Sequence, residues 1–240
     1  MIRNTFLKLI LLMAIATLPQ LSFAQITISS EQLIGKGNPE LFGEGYKLRK
    51  EAFTAFKQMQ TEALKSNIKI GAVSSYRSFA HQKRIWERKF KSNQAKGLST
   101  TENIKKIIEY STIPGTSRHH WGTDIDIYQT NVKQPRGLLL EGNFHNNGAF
   151  CKLKEWMDKH AKDYGFYLVY TDLPNRKGFK YEPWHYSYKP LSSQYLKDYN
   201  QLDIVEILKT DKLLGSQNFS KEFITKYTEE NILDINPELL

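Results

Sequence analysis

The chain has 240 residues and a formal net charge of +9. This length is enough for one catalytic domain with a sizeable hydrophobic core, plus a small terminal extension. The single cysteine, Cys151, excludes an internal disulfide, and its position in a helical pattern without an activating base favours a core thiol over a nucleophile. The positive charge suits an anionic partner such as cell-wall polymer or membrane headgroups, and nothing favours nucleic acid. An incidental charge bias of a solvated surface is the alternative.

The first 24 residues have the pattern of a secretory signal peptide. Arg3 and Lys8 precede or flank an apolar run over residues 9–18, and the segment ends in Ser22-Phe23-Ala24. The run is shorter than the ~20 residues of a membrane span, and no second run follows. We therefore expect cleavage near Ala24 and an exported protein, in the periplasm or at the cell surface, without a stable membrane anchor. An uncleaved, anchored N-terminus is the alternative.

Hydrophobic periodicity predicts four elements in the first half of the chain. They are a helix over residues 45–67, a strand over 68–74, a helix over 79–95 and a helix over 101–110. Thr100 or Thr101 is expected to cap the last of these, and Pro114-Gly115 to break it. Arg77 lies directly after the strand, where functional side chains are often held on a rigid scaffold.

A second strand is predicted over residues 123–128. Asp124 and Asp126 then face one side, and Ile125 and Ile127 face the other, so that one face bears a metal and the other packs into the core. Beyond it we expect a helix capped by Asn146 or Asn147 and ended by Gly165, strands over 166–170 and 181–188, and helices over 195–214 and 221–233.

Three potential zinc ligands and one further carboxylate lie in two short motifs. Zinc in a hydrolytic centre takes three protein ligands from imidazole and carboxylate groups and leaves a position for water; His119, Asp126 and His185 supply that set. Gly122 offers the backbone freedom that lets the intervening loop turn back. Glu182, three residues before His185, is then the expected base. A histidine and an aspartate seven residues apart are common, and it is the second motif that favours a metal site.

Three motifs carry a resemblance to a known family: Ser74-Ser75-Tyr76-Arg77-Ser78 with Gln82 beyond it, residues 117–126, and Glu182-Pro183-Trp184-His185. Across about residues 40–190 the chain resembles the VanY-type D-alanyl-D-alanine carboxypeptidases, within the wider group of lysostaphin-like, D-Ala-D-Ala-cleaving and hedgehog-type zinc domains. The resemblance implies an α+β fold in which a small antiparallel sheet carries the zinc site and helices flank it. We divide the chain into a signal peptide (1–24), a zinc carboxypeptidase domain (25–190) and a helical C-terminal extension (191–240) packed on it.

The resemblance also implies roles for individual residues. His119, Asp126 and His185 bind Zn²⁺, Glu182 acts as base and acid, and Arg77 steadies the oxyanion or the substrate carboxylate. The implied substrate-binding residues are Ser117, Tyr76, Gln82 and Trp184.

Several alternatives to these roles stay open. The sequence is also compatible with a structural ion pair for Arg77 and with core packing of Tyr76 and Trp184. Glu182 could likewise serve only as a hydrogen-bond partner of the ligand His185. Asp124 departs from the family pattern, where a small apolar residue is more common, and it either tunes the metal or points away. His120 is expected to point away from the metal, as a neighbour of His119 on an extended segment. His81, His145 and His160 carry no motif.

The resulting hypothesis is a zinc-dependent D-alanyl-D-alanine carboxypeptidase that acts on peptidoglycan stem peptides. Because the motifs specify the catalyst and not the subsites, an L,D-carboxypeptidase on tetrapeptide stems or a peptidoglycan endopeptidase remains an alternative. A phage lysin is disfavoured by the signal peptide. A non-catalytic, zinc-stabilised wall-binding module is disfavoured by Glu182, because a structural zinc site needs no base.

Overall fold

The computed structural model describes residues 28–210 and 212–240, so the predicted signal peptide lies outside the described residues. The α-helices are α1 Ser30–Leu33, α2 Lys50–Lys65, α3 Phe79–Gln94, α4 Thr100–Ile107, α5 Cys151–His160, α6 Lys189–Tyr199, α7 Ile204–Thr210 and α8 Lys221–Tyr227. The strands are β1 Ile70–Ser74, β2 Asp124–Gln129, β3 Phe166–Leu168 and β4 His185–Tyr188. In this part of the chain no helix combines the length and apolarity needed to cross a membrane.

The four strands form one antiparallel sheet in the order β1-β2-β4-β3. Asp126 on the central strand β2 pairs with Ser74 on one side and with His185 on the other. The register shifts between Ala72 and Ser74, as at a β-bulge, at the end of β1 that leads to Arg77. The small antiparallel sheet flanked by helices confirms the predicted α+β fold.

The two faces of the sheet differ as the alternation in β2 predicts. Ile125 and Ile127 are buried in a core with side chains of α2 and α5, among them Phe56, Met59 and Leu153. The aspartates of β2 point to the opposite face because successive side chains of a strand alternate. This second face carries the candidate site.

A second core lies among α3, α4 and the C-terminal part of the chain. Trp86 of α3 is fully buried there, and its indole N–H donates to the carbonyl of Leu214 at 2.9 Å. Tyr199 of α6 and Tyr227 of α8 belong to the same core. Residues after 190 therefore bury their apolar side chains against the helices that precede the metal-site motif, and α6 itself begins at Lys189.

Helix starts differ from the sequence predictions where a turn or a cap outweighs periodicity. Helix α2 begins at Lys50, because residues 42–48 form a loop closed by a bridge between Phe42 and Leu48, with Gly43 and Gly45 at positive φ. Helix α4 is capped by Ser99, whose side chain and Glu102 form a capping box. The expected cap at Thr100 or Thr101 is therefore wrong.

Predictions for the second half of the chain need similar corrections. Helix α5 begins at Cys151 without a side-chain cap, so Asn146 and Asn147 do not cap it, and Cys151 is partly exposed at the first turn and is not a core thiol. The predicted helix over 195–214 is two helices, because Asp203 accepts a hydrogen bond from the N–H of Glu206 and starts α7. Strand β4 begins at His185, after Pro183, which has no N–H for a sheet.

Candidate active site

The motif loop before β2 is a tight turn. Residues Arg118–Trp121 form a 3₁₀ turn, and Gly122 ends it with φ +71°. A Cβ at this position would lie 2.8 Å from Cδ2 of Leu41, so the turn needs glycine for space as well as for conformation. This turn brings His119 back toward Asp126, as the sequence predicts.

The structure brings the three predicted metal ligands together. One ligand atom each from His119, Asp126 and His185 lies within 4.8 Å of the others, and all three residues are buried. Nε2 of His119 is 3.4 Å from Oδ2 of Asp126, and Nδ1 of His185 is 3.7 Å from its Oδ1. Tetrahedral ligand atoms around Zn²⁺ are roughly 3.3 Å apart, so both the donor set and the spacing fit a zinc ion.

The hydrogen bonds of His119 leave Nε2, the nitrogen that faces Asp126, free to bind a metal ion. Its Nδ1 donates to the carbonyl of Ser75 at 2.8 Å, so Nε2 faces Asp126 with its lone pair. Nε2 of His119 and Oδ1 of Asp126 are both buried without a hydrogen-bond partner in the described structure. Burial lowers the pKa of His119 to about 4, so its ring is neutral and able to ligate at neutral pH.

His185 presents the other ring nitrogen, Nδ1, to the ligand cluster. Its Nε2 donates to Oδ2 of Asp124 at 2.9 Å, which leaves Nδ1 as the ligand atom. Burial lowers the pKa of His185, but the bonds to Asp124 and Glu182 outweigh burial and raise this pKa to about 9. These two carboxylates stabilise the protonated ring, so a metal ion that binds Nδ1 would have to displace the proton there.

Asp124 does not point away from the site. It is fully buried, and it accepts hydrogen bonds from Arg118 Nε at 2.9 Å, Thr123 Oγ1 at 2.9 Å and Ser187 Oγ at 2.6 Å, besides that from His185. Burial raises the pKa of this carboxyl, but the charge of Arg118 and the bond to His185 lower it further than burial raises it. Asp124 is therefore a carboxylate that holds a metal-ligand candidate in one orientation.

Glu182 lies beside the ligand cluster. Its Oε2 is 3.0 Å from Nδ1 of His185, and its backbone N–H donates to the carbonyl of Tyr170 at 3.1 Å. Burial raises the pKa of Glu182, which shifts this carboxylate toward the range where a general base works best.

Arg77 approaches the same face from the end of β1. Its Nη1 donates to Oε1 of Gln82 at 2.8 Å, and its backbone N–H donates to the carbonyl of His119 at 3.0 Å. The nearest carboxylate contact is long, 4.0 Å from Nη2 to Asp126, and Nε is buried without a partner. The guanidinium is therefore positioned by a neutral amide and keeps donors free for another group.

His120 has both ring nitrogens occupied. Its Nδ1 donates to the carbonyl of Arg77 at 2.6 Å, and its Nε2 accepts from the N–H of Gly115 at 3.1 Å. The residue points away from the metal ligands as expected, although it does so on a 3₁₀ turn and not on an extended segment.

Two cavities that share lining residues lie beside the ligand cluster. A small one, about 20 Å³, is lined by His119 and His185, and a larger cleft, about 660 Å³, is lined by Asp126. Arg77 and Glu182 line both. The candidate base and the free guanidinium therefore border both cavities, and each cavity is also lined by candidate metal ligands.

The four residues expected to bind substrate fall in different places. Ser117 lines the small cavity and Trp184 lines the large cleft. Gln82 lines neither, since its amide is used between Arg77 and the carbonyl of Thr112, 2.9 Å away. Tyr76 also lines neither cavity, and its N–H donates to the carbonyl of Lys47 at 3.0 Å.

The sequence predicts no role for several residues that line the cavities. Thr112 and Arg118 line the small cavity, and Lys89 lines the large cleft, where its ammonium donates to Ser111 Oγ at 3.0 Å. Arg118 lies inside the recognised motif, and the acidic Asp124 six residues later was an available signal for a buried pair. Thr112 and Lys89 have no such signal, because only the packing of α3 against the loop after α4 brings them to the site.

Comparison with known proteins gives the family. Residues 45–191 match the family described as VanY D-alanyl-D-alanine carboxypeptidase. An uncharacterized protein of Haemophilus influenzae is 30% identical over 107 residues, which are 43% of this chain and 81% of that protein. The D-alanyl-D-alanine carboxypeptidase of Enterococcus faecalis is 28% identical over 141 residues, 58% of this chain but only 47% of that protein.

The fold has a counterpart among solved structures. A zinc-bound mutant of the vancomycin resistance D,D-pentapeptidase VanY, from a VanB-type resistance cassette, matches with a TM-score of 0.51 at 23% identity. The match covers 68% of this chain and 85% of that one, and at this identity it bears on the fold alone. With the family match over more than half of the sequence and a buried ligand triad in place, the chain belongs to the VanY family of D-alanyl-D-alanine carboxypeptidases and is a metallopeptidase.

Proposed function

We propose that this protein is a zinc-dependent D-alanyl-D-alanine carboxypeptidase that removes the terminal D-alanine from peptidoglycan stem peptides. The observation that carries the proposal is the convergence of the ligand atoms of His119, Asp126 and His185 with the carboxylate of Glu182 on one buried sheet face. Family membership over residues 45–191 supplies the reaction class.

Zinc held by the three ligands would polarise the scissile carbonyl and make a water molecule more acidic. Glu182 is the residue that takes the proton from the attacking water and passes it to the leaving amine, and its raised pKa suits both steps. Arg77 donates from its free guanidinium atoms to the carbonyl oxygen as negative charge develops there. Gln82 serves this step by holding Arg77 in place.

The substrate proposal rests on the relatives and on the shape of the cleft. The Enterococcus relative is named as a D-alanyl-D-alanine carboxypeptidase, and the large cleft has a volume of about 660 Å³. Arg88 and Lys89 on its wall give it a cationic side that suits an anionic cell-wall peptide.

Mass spectrometry of muropeptides tests the proposal. Zinc-loaded protein is incubated with pentapeptide and tetrapeptide stems, and we expect loss of one alanine from the pentapeptide. Glu182→Ala should abolish this loss, whereas Glu155→Gln, at an exposed position of α5, should not change it. Preferential trimming of the tetrapeptide would assign an L,D-carboxypeptidase, and release of two peptide fragments an endopeptidase. Absence of any product from the unaltered protein would refute catalysis and favour a wall-binding module.

We also propose that the protein is exported, with cleavage after Ala24. Intact-mass analysis of the protein recovered from the periplasm or medium of expressing cells should give a chain beginning at Gln25. A full-length chain retained in the cytoplasm would contradict this.

A further inference from the structure

Residues 171–179 form a loop between β3 and Glu182, and one arginine closes this loop. Nε of Arg176 donates to the carbonyl of Thr171 at 3.0 Å, and its Nη2 donates to the carbonyl of Phe179. These two carbonyls belong to the first and the last residue of the loop. The guanidinium therefore joins the two ends of the loop with a planar set of donors that a lysine lacks.

The third guanidinium nitrogen binds the C-terminal extension. Nη1 of Arg176 donates to the carbonyl of Asp234 at 2.6 Å, and the carboxylate of Asp234 accepts from the backbone N–H of Lys177. The next residue, Gly178, lies so close to the extension that a Cβ there would collide with the carbonyl of Glu230. The loop and the extension are therefore in contact through backbone groups, which cannot separate without losing hydrogen bonds.

The extension also binds the end of β3. The backbone N–H of Asn236 donates to the carbonyl of Val169 at 2.9 Å, and its Nδ2 donates to the carbonyl of Leu168 at 2.9 Å. Asn236 and Asp234 lie outside the part of the chain that matches the VanY family, which ends at residue 191. One side of this clamp is therefore supplied by the C-terminal extension and not by the matched part.

The clamped segment adjoins the candidate base and a metal-ligand candidate. Tyr170, directly before the loop, accepts a hydrogen bond from the backbone N–H of Glu182 at 3.1 Å. Its ring lies 5.1 Å from that of His185 and 5.0 Å from that of Phe179, between centroids. The guanidinium of Arg176 lies 5.5 Å from the same ring. A displacement of the loop would therefore move the residue that contacts both Glu182 and His185.

We propose that Arg176 is a positioning residue for the general base: by fastening the loop to Asp234, it holds Glu182 where its carboxylate reaches the attacking water. The proposal rests on the proposed peptidase function, because it takes the role of Glu182 from there. Arg176 lines neither of the two cavities beside the ligand cluster, so it acts only through the residues that it holds. The C-terminal extension thereby contributes to the rate of the reaction and not only to the core.

Steady-state kinetics test the positioning role. For Arg176→Gln we expect kcat for alanine release to fall about 10- to 100-fold, because misplacing a catalytic group by about 1 Å costs up to about 10²-fold. KM and zinc affinity should change far less, since the ligands and the lining of the cleft are unaltered. An unchanged kcat, or a rise in KM alone, would overturn the proposal. Full activity in Arg176→Lys would also overturn it, because charge alone would then suffice.

A second variant tests the clamp from the side of the extension. Asp234→Ala leaves residues 171–182 unaltered and removes the acceptor of the Lys177 N–H, so kcat should fall about fivefold. This variant decides the matter if Arg176→Gln fails to fold. An unchanged kcat in Asp234→Ala would show that the extension does not position the base.

A matched control separates positioning from stability. Asn103 of α4 donates from its buried Nδ2 to the carbonyl of Phe90 at 2.7 Å and lines neither cavity beside the ligand cluster. Asn103→Ala should lower the thermal midpoint and leave kcat per folded, zinc-loaded molecule unchanged. If Asn103→Ala lowered kcat as much as Arg176→Gln does, the loss would be general destabilisation and the positioning role would be refuted.

Hydrogen exchange measures the clamp without catalysis. Exchange of the backbone N–H of Glu182, followed by NMR, should accelerate in Arg176→Gln and not in Asn103→Ala. If the unaltered protein releases no alanine but this difference is found, the peptidase function fails and the clamp on Glu182 stands. If alanine is released while both kcat and exchange at Glu182 are the same in Arg176→Gln as in the unaltered protein, the peptidase function stands and the positioning role fails.

Discussion

Oδ2 of Asp124 lies 2.9 Å from Nε2 of His185, and this contact determines which nitrogen of the imidazole faces the other ligands. Because Nε2–H donates its hydrogen bond to this carboxylate, Nδ1 is the nitrogen that faces Asp126, 3.7 Å from its Oδ1. Carboxylates that hold a ligating histidine in this way commonly contribute one to two orders of magnitude to metal affinity.

Replacing Asp124 should therefore weaken zinc binding although all three candidate ligands remain in place. For Asp124→Asn we expect an affinity about 10- to 100-fold lower, because the amide oxygen can accept the hydrogen bond from Nε2 but carries no charge to balance Arg118. Competition with a chromophoric chelator measures this. Asp172→Asn, at an exposed position, is the control. Equal affinities for the two variants would show that the carboxylate does not tune the metal.

Arg77→Lys should lower kcat by about 10² to 10³ with little change in zinc affinity, because a lysine lacks the free Nε donor and loses the bond to Gln82. Steady-state rates of alanine release give the value. Arg84→Lys, at an exposed position of helix α3, provides the comparison. If Arg77→Lys raised only KM, the guanidinium would serve substrate binding and not the developing charge.

Removal of the metal should affect stability as well as rate. At zinc concentrations about 1,000 times the dissociation constant, binding contributes about 4 kcal/mol to the folded state. For a domain of this size that corresponds to a fall in thermal midpoint of about 10 °C when a chelator removes the ion. His119→Ala, which lacks one ligand, should show the lower midpoint with or without zinc. A midpoint independent of zinc in the unaltered protein would mean that the buried triad binds no ion.

The C-terminal part of the chain supports the site through Tyr227. Its hydroxyl accepts from the N–H of Ile113 at 3.1 Å and lies 2.9 Å from Thr116 Oγ1, in the loop that leads to Ser117. Tyr227→Phe should lower the free energy of unfolding at neutral pH by about 1 kcal/mol. Tyr110 is an exposed tyrosine, so Tyr110→Phe should leave the free energy of unfolding unchanged. Urea titrations of both variants measure the difference.

The same tyrosine predicts a loss of stability in alkali. Burial raises the pKa of Tyr227 to about 12, above its unfolded value of 10.0. Because the folded state favours the neutral phenol, its contribution is complete below the unfolded pKa and is lost progressively between about pH 10 and pH 12. The difference in stability between the unaltered protein and Tyr227→Phe should therefore shrink as the pH rises through this range. A constant difference would contradict the raised pKa.

Local chemistry in the sequence was enough to predict the sheet face and the metal triad. Alternation in β2 places Asp126 opposite Ile125 and Ile127 whatever the rest of the chain does, because a strand has a period of two. Gly122 permits a left-handed turn at the one place where the motif must reverse. Such features depend on residues close in the chain, and the family resemblance is concentrated in the same residues.

Tertiary structure alone decided what surrounds the triad. Asp124 could point toward or away from the metal until β4 placed His185 beside it, and Gln82 holds Arg77 only because α3 packs against the loop at Thr112. The predicted starts of α2 and α4 were wrong, because a bridge between Phe42 and Leu48 precedes α2 and the side chain of Ser99 caps α4. The sequence by itself therefore determined the fold class, through the family resemblance, and the choice of three candidate metal ligands, which lie in short motifs. Long-range packing determined the orientation of the second carboxylate and the place of the C-terminal helices, because their energies come from contacts between residues far apart in the chain.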